Sequence, residues 1–398
     1  MIVLSKVVVI GAGASGVISS IIASKKHDVI LLEGTDKVLK KILLTGNGRC
    51  NYWNSDINTD KYNTDNVDVL ESILTNKEEV LEFLNSIGIV PKIKNGYYYP
   101  YSNSASSVRE ILVRELEKRN VKIKTNFKVE KIEKINDKFF IYSEKEKIEA
   151  DKVILSTGSK AFPKTGSDGT GYILASSLSH SVNNIYPALT SLITPSRYDW
   201  AGVRVDSKLS LFIDGEKITD EIGEVQLTEN GISGICTFNI SSKASKNLDK
   251  KVLVKINFLP FLEESFYDWF SRRNEFIKNS TIEELLESIF PYKLMFTIFK
   301  VSNIDRNSKW DDLTELQKRE LASTIENFEL RIIDTSSFDK AQVCTGGVSL
   351  NEINQSTMGS KIVDDLYITG ELLDVDGICG GFNLAFAFIT GYLAGLGV

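Results

Sequence analysis

The 398-residue sequence has few of the residue types that bind metal ions or carry out acid–base catalysis through imidazole. It contains two histidines, His27 and His180, and four cysteines, none of them in a CxxC pair. We therefore expect neither a metal site nor a disulfide framework. Basic residues are not in excess, because the net charge is −6. Nucleic acid and anionic membrane surfaces are therefore not expected partners.

Long apolar runs are also missing. The longest late stretch, Leu384–Val398, is interrupted by glycines and is too short to span a bilayer. Lys6 lies inside the first apolar stretch, so the charged-then-apolar order of a signal peptide is absent. We expect a cytoplasmic protein of two or three domains, since 398 residues exceed the usual size of one domain. The oligomeric state cannot be read from the sequence.

The N-terminal segment carries a dinucleotide-binding fingerprint. Val7–Ile10 predicts a buried parallel strand, and Gly11, Gly13 and Gly16 follow it with GxGxxG spacing. These glycines allow a tight turn, close approach of a pyrophosphate and close packing of the next helix on the strand. Glu33 ends the second strand, where a carboxylate accepts hydrogen bonds from ribose hydroxyls. The fingerprint alone does not distinguish NAD from FAD.

Further along the chain the pattern changes twice. Apolar residues at helical spacing predict helices in Val67–Ile87 and in Ser107–Arg119, the latter with Ser106-Ser107 as its cap. Tyr186–Pro260 has short alternating strands with glycine turns and predicts a β region. Leu262–Phe328 lacks glycine and predicts a small helical bundle.

The C-terminal segment favours FAD over NAD. The strand Leu366–Thr369 leads into Gly370-Glu371. In flavoproteins with two dinucleotide-binding domains, such a late strand followed by glycine and an acid places a carboxylate on the ribityl chain of FAD. A helix predicted to start near Asn383 would direct its N-terminal amides at the pyrimidine end of the flavin.

Several long, ordered motifs are distributed over nearly the whole chain. They are Lys41–Asn51 (KILLTGNGRCN), Tyr99–Ala105 (YPYSNSA), Ser156–Gly158, Pro163–Tyr172, Thr345–Val348, Thr357–Lys361, Gly370–Gly377 and Gly380–Asn383. In these motifs the sequence resembles the BaiN/YhiN-type flavoproteins, a family that includes enzymes described as aminoacetone oxidases.

The resemblance implies an α/β fold in which both chain ends build a Rossmann-like FAD-binding domain. That domain would comprise residues 1–187 and 340–398, with an inserted β-barrel-like module at 188–260 and a helical module at 261–339. It also implies the FAD-binding residues. These are Gly11, Ala12, Gly13, Ala14, Ser15, Gly16, Glu33, Gly34, Lys41, Thr45, Gly46, Asn47, Gly48, Arg49, Cys50, Asn51, Val129, Thr157, Gly158, Gly370, Glu371, Asp376, Gly380, Gly381, Phe382, Asn383 and Leu384.

A second dinucleotide fingerprint is absent from the sequence, so any NAD(P)H must dock transiently as a co-substrate. Cys50 lies in the glycine-rich loop Thr45–Asn51 but has no resolving cysteine nearby in the sequence. We favour a structural role for Cys50, and a redox role stays open.

Three functions remain open. The first is an FAD-dependent reductase that passes hydride from NAD(P)H to an unsaturated carbonyl compound. The second is a flavin amine oxidase that uses dioxygen, and the third is a non-catalytic flavin-binding sensor. Catalytic acids and bases cannot be assigned. Tyr186, Trp200 and Tyr292 are candidates to face a small-molecule substrate in a cavity between the inserted modules and the flavin, with the helical module as a lid.

Overall fold

The structure is a computed structural model that describes residues 5–277 and 279–398. Residues 1–4 and 278, which fall in the predicted FAD-binding and helical parts, lie outside the described residues. The chain forms two compact units. Unit 1 is the described part of Met1–Tyr186 together with Phe338–Val398, and unit 2 is the described part of Pro187–Ser337.

The strands are β1 Lys6–Ile10, β2 Asp28–Leu32, β3 Trp53–Asn54, β4 Tyr62–Asn63, β5 Pro91–Lys94, β6 Tyr97–Pro100, β7 Lys122–Lys124, β8 Lys131–Ile135, β9 Lys138–Tyr142, β10 Lys147–Ala150, β11 Lys152–Leu155, β12 Tyr186–Ala188, β13 Leu192–Ile193, β14 Arg204–Ile213, β15 Glu216–Thr228, β16 Gly231–Ser233, β17 Val252–Asn257, β18 Phe328–Ile332, β19 Asp334–Thr335, β20 Val343–Thr345, β21 Leu366–Ile368 and β22 Asp376–Gly377. The α-helices are α1 Ala14–Ala23, α2 Val67–Leu74, α3 Lys77–Ser86, α4 Ala105–Lys118, α5 Thr170–Ser177, α6 Ile235–Ser245, α7 Phe266–Phe276, α8 Ile282–Leu286, α9 Tyr292–Ser302, α10 Glu315–Glu326 and α11 Phe382–Gly397.

Unit 1 is built on a parallel sheet with the strand order β21-β11-β1-β2-β7. The apolar run of β1 lies at its centre, where Val9 pairs with Leu31 on one side and Ile154 on the other. Both faces of this strand are buried, which explains why the run does not alternate with polar residues. The chain turns to opposite sides of β1, so the carboxyl ends of β1 and β11 form the crevice where such folds bind nucleotides.

Smaller sheets and helices complete unit 1. Strands β8 to β10 form an antiparallel meander between β7 and β11 in the chain. Helix α11 packs against α1 beside the parallel sheet. The Rossmann-like α/β fold predicted from the sequence is therefore confirmed, with both ends of the chain contributing to it.

Unit 2 contains an antiparallel sheet in the order β18-β17-β14-β15-β16-β13-β19. Its two edge strands are neighbours in the chain, because Ile333 alone separates β18 from β19. The sheet must therefore curl until its edges approach each other, which gives the barrel-like form expected from the sequence. Its buried face and the helices share one hydrophobic cluster that includes Trp200, Leu211 and Phe270.

Some predicted elements differ from the structure. Residues 328–332 and 334–335 are strands of the unit 2 sheet, although the predicted helical module includes them. The helix predicted over Val67–Ile87 is two helices, α2 and α3. Helix α4 begins at Ala105 with Ser104 as its N-cap, two residues before the predicted cap. The three-part domain division stays a prediction.

Within residues 5–277 and 279–398, no helix combines the length and the apolar character needed to cross a membrane.

Candidate dinucleotide and flavin site

The turn after β1 has the geometry that a bound pyrophosphate requires. Gly11 has a φ of +99°, and a Cβ there would lie 2.5 Å from the carbonyl oxygen of Ser156. A Cβ at Gly16 would lie 1.9 Å from the carbonyl oxygen of Gly11, so this glycine allows α1 to pack closely on the turn. At Gly13 a Cβ would meet no atom within 4 Å. The first and third glycines therefore shape the turn, and the second faces open space that a ligand can fill.

Helix α1 presents free backbone amides to this space. Its N-cap is Gly13, which has no side chain to cap the helix, and its first turn contains no acidic residue. Ala14, Ser15 and Gly16 supply the amides of the first turn. Because these amides carry the positive end of the helix dipole, the position suits an anion such as a pyrophosphate.

Glu33 closes the other side of the turn. Its Oε2 accepts a hydrogen bond from the Ala12 amide at 3.1 Å, and its Oε1 accepts from the Thr35 amide at 2.8 Å. The carboxylate thus also organises the glycine turn, a role that the sequence pattern did not reveal. Gly34 follows it beside the segment that leads to Val129, since the position of a Cβ on Gly34 is 3.8 Å from the Cα atom of Lys128.

Strand β11 ends at the same edge of the sheet. The Ser156 hydroxyl donates to the carbonyl oxygens of Ile10 and Gly11, at 3.0 and 2.9 Å, and so ties the two strand ends together. The next residue, Thr157, has a buried hydroxyl with no hydrogen-bond partner among the described residues. Gly158 follows at the edge of the site. An unpaired buried hydroxyl costs free energy, so a ligand or water at this edge would stabilise it.

Gly370 and Glu371 approach the crevice from β21. The Gly370 amide donates to Thr390 of α11 at 3.0 Å, and a Cβ on Gly370 would lie 2.6 Å from the Ser15 hydroxyl. The Glu371 carboxylate accepts from Lys41 at 3.0 Å and from Ser159 at 3.2 Å. Two segments that are far apart in the sequence therefore meet at Glu371.

The loop Thr45–Asn51 is held by its own backbone. The amides of Gly48 and Cys50 both donate to the Thr45 carbonyl, and the Arg49 amide donates to Gly46. Asn47 has a φ of +55° in the same turn. The Arg49 guanidinium lies 5.4 Å from the centroid of the Tyr99 ring.

The Cys50 thiol is fully buried, and this burial raises its pKa to about 11, against the smaller opposing effect of a hydrogen bond with Thr45. A thiol that stays protonated at neutral pH is a poor nucleophile. The geometry therefore favours the structural role for Cys50.

The start of α11 meets this loop. The helix begins at Phe382 after Gly381, one residue before the predicted start, and Leu384 lies in its first turn. A Cβ on Gly381 would lie 2.6 Å from the Trp53 carbonyl and 2.9 Å from the Asn51 side chain. Oriented with its nitrogen toward two acceptors, the Asn51 amide donates to the Trp53 and Tyr98 carbonyls, both at 3.1 Å.

Further side-chain hydrogen bonds fix the approach to α11. The Asn383 amide bonds reciprocally to the Gly377 backbone, donating to its carbonyl at 2.7 Å and accepting from its amide at 2.8 Å. Asp376 accepts from Asn63 of β4 at 2.9 Å. The Asn54 amide donates to the Gly380 carbonyl at 2.9 Å, a contact that the sequence pattern did not predict.

The three aromatic substrate candidates have different surroundings. Trp200 is fully buried in the core of unit 2, and its indole donates to the Thr228 carbonyl at 2.9 Å, so its role is structural. Tyr292 is exposed on α9, where its hydroxyl accepts from Arg306 at 3.1 Å. Tyr186 is half-buried. Only Tyr292 and Tyr186 keep surface free for a ligand.

The parallel sheet and the glycine turn define a dinucleotide-binding protein of the Rossmann type. The chain belongs to the family described as HI0933-like proteins with a Rossmann domain, which matches residues 5–397. It is 39% identical to a protein of Clostridium scindens named 3-dehydro-bile acid delta(4,6)-reductase, over 98% of both chains. It is 27% identical to a ribosomal RNA dihydrouridine synthase of Escherichia coli, over 97% of this chain and 96% of the relative.

Among solved structures, a flavocytochrome c3 fumarate reductase matches with a TM-score of 0.52 and 15% identity, covering 98% of this chain and 77% of that one. At this identity the likeness concerns the fold alone. The family and the 39% identical relative show that the protein is an FAD-dependent oxidoreductase. The predicted cofactor, FAD, is therefore confirmed, whereas the residues assigned to it stay a prediction.

Proposed function

We propose that the protein is an FAD-dependent reductase. Its proposed substrate is a small molecule in which a carbon–carbon double bond is conjugated with a carbonyl group, and the protein saturates that double bond. NAD(P)H is the proposed electron donor and docks transiently. The observation that carries the proposal is the similarity to the 3-dehydro-bile acid delta(4,6)-reductase, which extends over 98% of both chains. A relative that matches over 98% of both chains covers both units of this chain, so its reaction class is the best guide to this one.

When bound, FAD supplies hydride-transfer chemistry. In the proposal the turn Gly11–Gly16 and the first turn of α1 bind the pyrophosphate, Glu33 binds the adenosine ribose, and Glu371 binds the ribityl chain. The N-terminus of α11, which has no acidic residue in its first turn, would face the pyrimidine end of the flavin. Its dipole would stabilise negative charge at that end and so favour acceptance of electrons.

Nucleic acid is not part of the proposal, although the 27% identical relative is named for ribosomal RNA. The net charge of this chain is −6. An acidic protein gains little from phosphate neutralisation, which supplies most of the affinity for RNA. A small molecule is therefore the proposed substrate.

The proposal is tested by anaerobic reduction of the purified yellow protein. NADH, NADPH and a series of small amines are added separately, and loss of the flavin colour is followed. We expect a nicotinamide to bleach the flavin and the amines to leave it oxidised. The reduced protein is then mixed with an unsaturated 3-oxo steroid, and the colour should return with formation of the saturated product.

A saturated 3-oxo steroid of the same skeleton is the matched control, and it should leave the flavin reduced. Bleaching by an amine followed by reoxidation with dioxygen would instead select the amine oxidase. A flavin that none of these donors reduces would select the sensor.

A further inference from the structure

Among the residues that the structure describes, the hydrogen bonds to the Glu371 carboxylate reach one of its two oxygens. Lys41 and Ser159 both donate to Oε2, at 3.0 and 3.2 Å, and neither bond uses Oε1. The lysine and glutamate side chains are 25% and 19% exposed, so water screens their ion pair only partly. One oxygen is thus fixed by the protein, and the other is left for a further donor.

Glu371 also lies beside a position suited to negative charge. Its neighbour Gly370 packs against Ser15 in the first turn of α1, where the pyrophosphate is proposed to bind. A carboxylate that was not neutralised would repel this anion, because like charges repel each other more strongly in a partly buried site than in water. Lys41 supplies the compensating charge.

Lys41 is well placed to do so. It begins the short 3₁₀ helix Lys41–Leu44, which leads directly into the Thr45–Asn51 loop. Its ion pair with Glu371 therefore joins that loop to the strand end after β21, across 330 residues of sequence.

The resemblance places Lys41 among the FAD-binding residues. We infer instead that it is a positioning residue, which acts on FAD binding through Glu371 and not by its own contact with the cofactor. Together with Ser159 it fixes the carboxylate so that Oε1 accepts from a hydroxyl of the ribityl chain, and it cancels the charge of Glu371. The inference rests on the proposed assignment of Glu371 to the cofactor and is independent of the substrate.

The test is a double-mutant cycle on FAD affinity, measured by titrating the apoprotein with FAD and following flavin fluorescence. Lys41→Gln and Glu371→Gln should each weaken binding about tenfold, as expected for loss of a partly buried charged interaction. The double variant should be weakened about tenfold as well, and not about a hundredfold, because each change removes the same function. Lys41→Arg, which keeps the positive charge, should retain most of the affinity for FAD.

Lys40→Gln is the matched control. Lys40 precedes Lys41 and pairs with the exposed Asp36 at 2.8 Å, so its loss should leave FAD affinity unchanged. Circular dichroism and thermal melting of the apoproteins verify that each variant is folded. If Lys41→Gln does not fold, Ser159→Ala removes the second donor to the same oxygen. It should weaken FAD binding about threefold alone and not at all in the Glu371→Gln background.

Additive losses in the cycle would show that Lys41 acts independently of Glu371 and would overturn the inference. Unchanged affinity in Lys41→Gln would do the same. Unchanged affinity in Glu371→Gln would remove Glu371 from the cofactor site and the inference with it. None of these results depends on which compound oxidises or reduces the flavin, so the proposed reductase activity is tested separately.

Discussion

At the scale of single residues, Gly13 and Gly16 differ most in what surrounds them. A Cβ on Gly16 would overlap the Gly11 carbonyl at 1.9 Å, whereas a Cβ on Gly13 would meet no atom within 4 Å. The φ of Gly13 is −80°, which any residue can adopt. The two glycines therefore have different roles, one in packing the helix and one in leaving room for a ligand.

We expect Gly13→Val to give a folded protein without FAD, since the added side chain fills the space proposed for the pyrophosphate. Gly16→Val should lower the melting temperature of the apoprotein, because the backbone must move to relieve the overlap. Flavin absorbance per protein and thermal melting of both apoproteins check this. A Gly13→Val protein with one FAD per chain would place the pyrophosphate elsewhere.

The residues of the turn were predictable because their spacing alone sets the local backbone. A GxGxxG motif that follows an apolar run predicts a dinucleotide-binding turn, and the whole pattern lies within about twenty residues of sequence. The pairing of Lys41 with Glu371 spans 330 residues, and no local pattern specifies such a partner. The second role of Glu33, as acceptor for the Ala12 amide, was not predicted either. It depends on where the folded turn places that amide, which the sequence spacing does not specify.

At the scale of elements, His180 connects three segments of unit 1. Its Nδ1 lies 2.8 Å from the Glu352 carboxylate and its Nε2 lies 2.8 Å from the Ser360 hydroxyl. Glu352 also accepts from the Ser181 amide. The Ser360 hydroxyl accepts from two backbone amides, so its lone pairs are used in holding the turn. The sequence of contacts from carboxylate to imidazole to hydroxyl resembles a catalytic triad. Here, however, the hydrogen bonds hold segments of the chain together, so the role of the group is structural.

This connection predicts a pH-dependent stability. Burial raises the pKa of Glu352, but hydrogen bonds from Ser181 and His180 outweigh it and hold the pKa below its usual 4.5. A lowered carboxyl pKa contributes stability that is present above pH 4.5 and is lost as pH falls through the lowered value. Glu352→Gln should therefore cost about 1–3 kcal/mol at neutral pH. The difference from the unchanged protein should shrink below pH 4.5.

Thermal melting from pH 7 to about pH 3 measures this difference. Glu329→Gln, a change at an exposed ion pair of the unit 2 sheet, is the control and should have little effect at any pH. A loss of the same size at every pH would show that the charge of Glu352 is unimportant.

Elements whose apolar residues recur with a clear helical or strand period were predicted well. Elements in which this period disagrees with the composition of the surrounding segment were not. Residues 328–332 follow a glycine-free, helix-like segment, but their burial alternates strictly, with Phe328, Leu330 and Ile332 inside. This alternation is typical of a strand, but the prediction followed the helix-like composition of the preceding segment. In the predicted helix over Val67–Ile87, the Asn76 amide donates to the Ile73 carbonyl at 3.1 Å and so ends α2.

At the scale of the whole molecule, each unit has its own large hydrophobic cluster. Among the described residues, the cluster of unit 1 contains none between Pro187 and Ser337, and the cluster of unit 2 lies entirely within that range. Ile185 and Phe338, at the two chain positions where unit 1 is interrupted, pack against one small cluster of Ala161, Ala341 and Cys344. The ends of the interruption are therefore close enough for a short connection.

We expect that replacing residues 189–336 by a short glycine-serine linker leaves unit 1 folded and able to bind FAD. Turnover should be lost, because the substrate-binding residues are proposed to lie in the removed part. Flavin content, melting temperature and the bleaching assay measure the three properties. Normal turnover by the shortened protein would place the substrate site within unit 1. Removing only 262–328 is a poorer test, since those helices share the hydrophobic cluster of the sheet.

The assembly of unit 1 from both chain ends has a consequence for biosynthesis. Strand β21 pairs with β11 at an edge of the parallel sheet and α11 packs on α1, so β11 and α1 lack these neighbours until the C-terminal segment has been synthesised. Domains generally fold as units, in the order in which the ribosome delivers them. Here unit 2 can fold first, although it is encoded in the middle. We therefore expect a chain that terminates before residue 370 to stay colourless, because it lacks the last residues that are predicted to bind FAD.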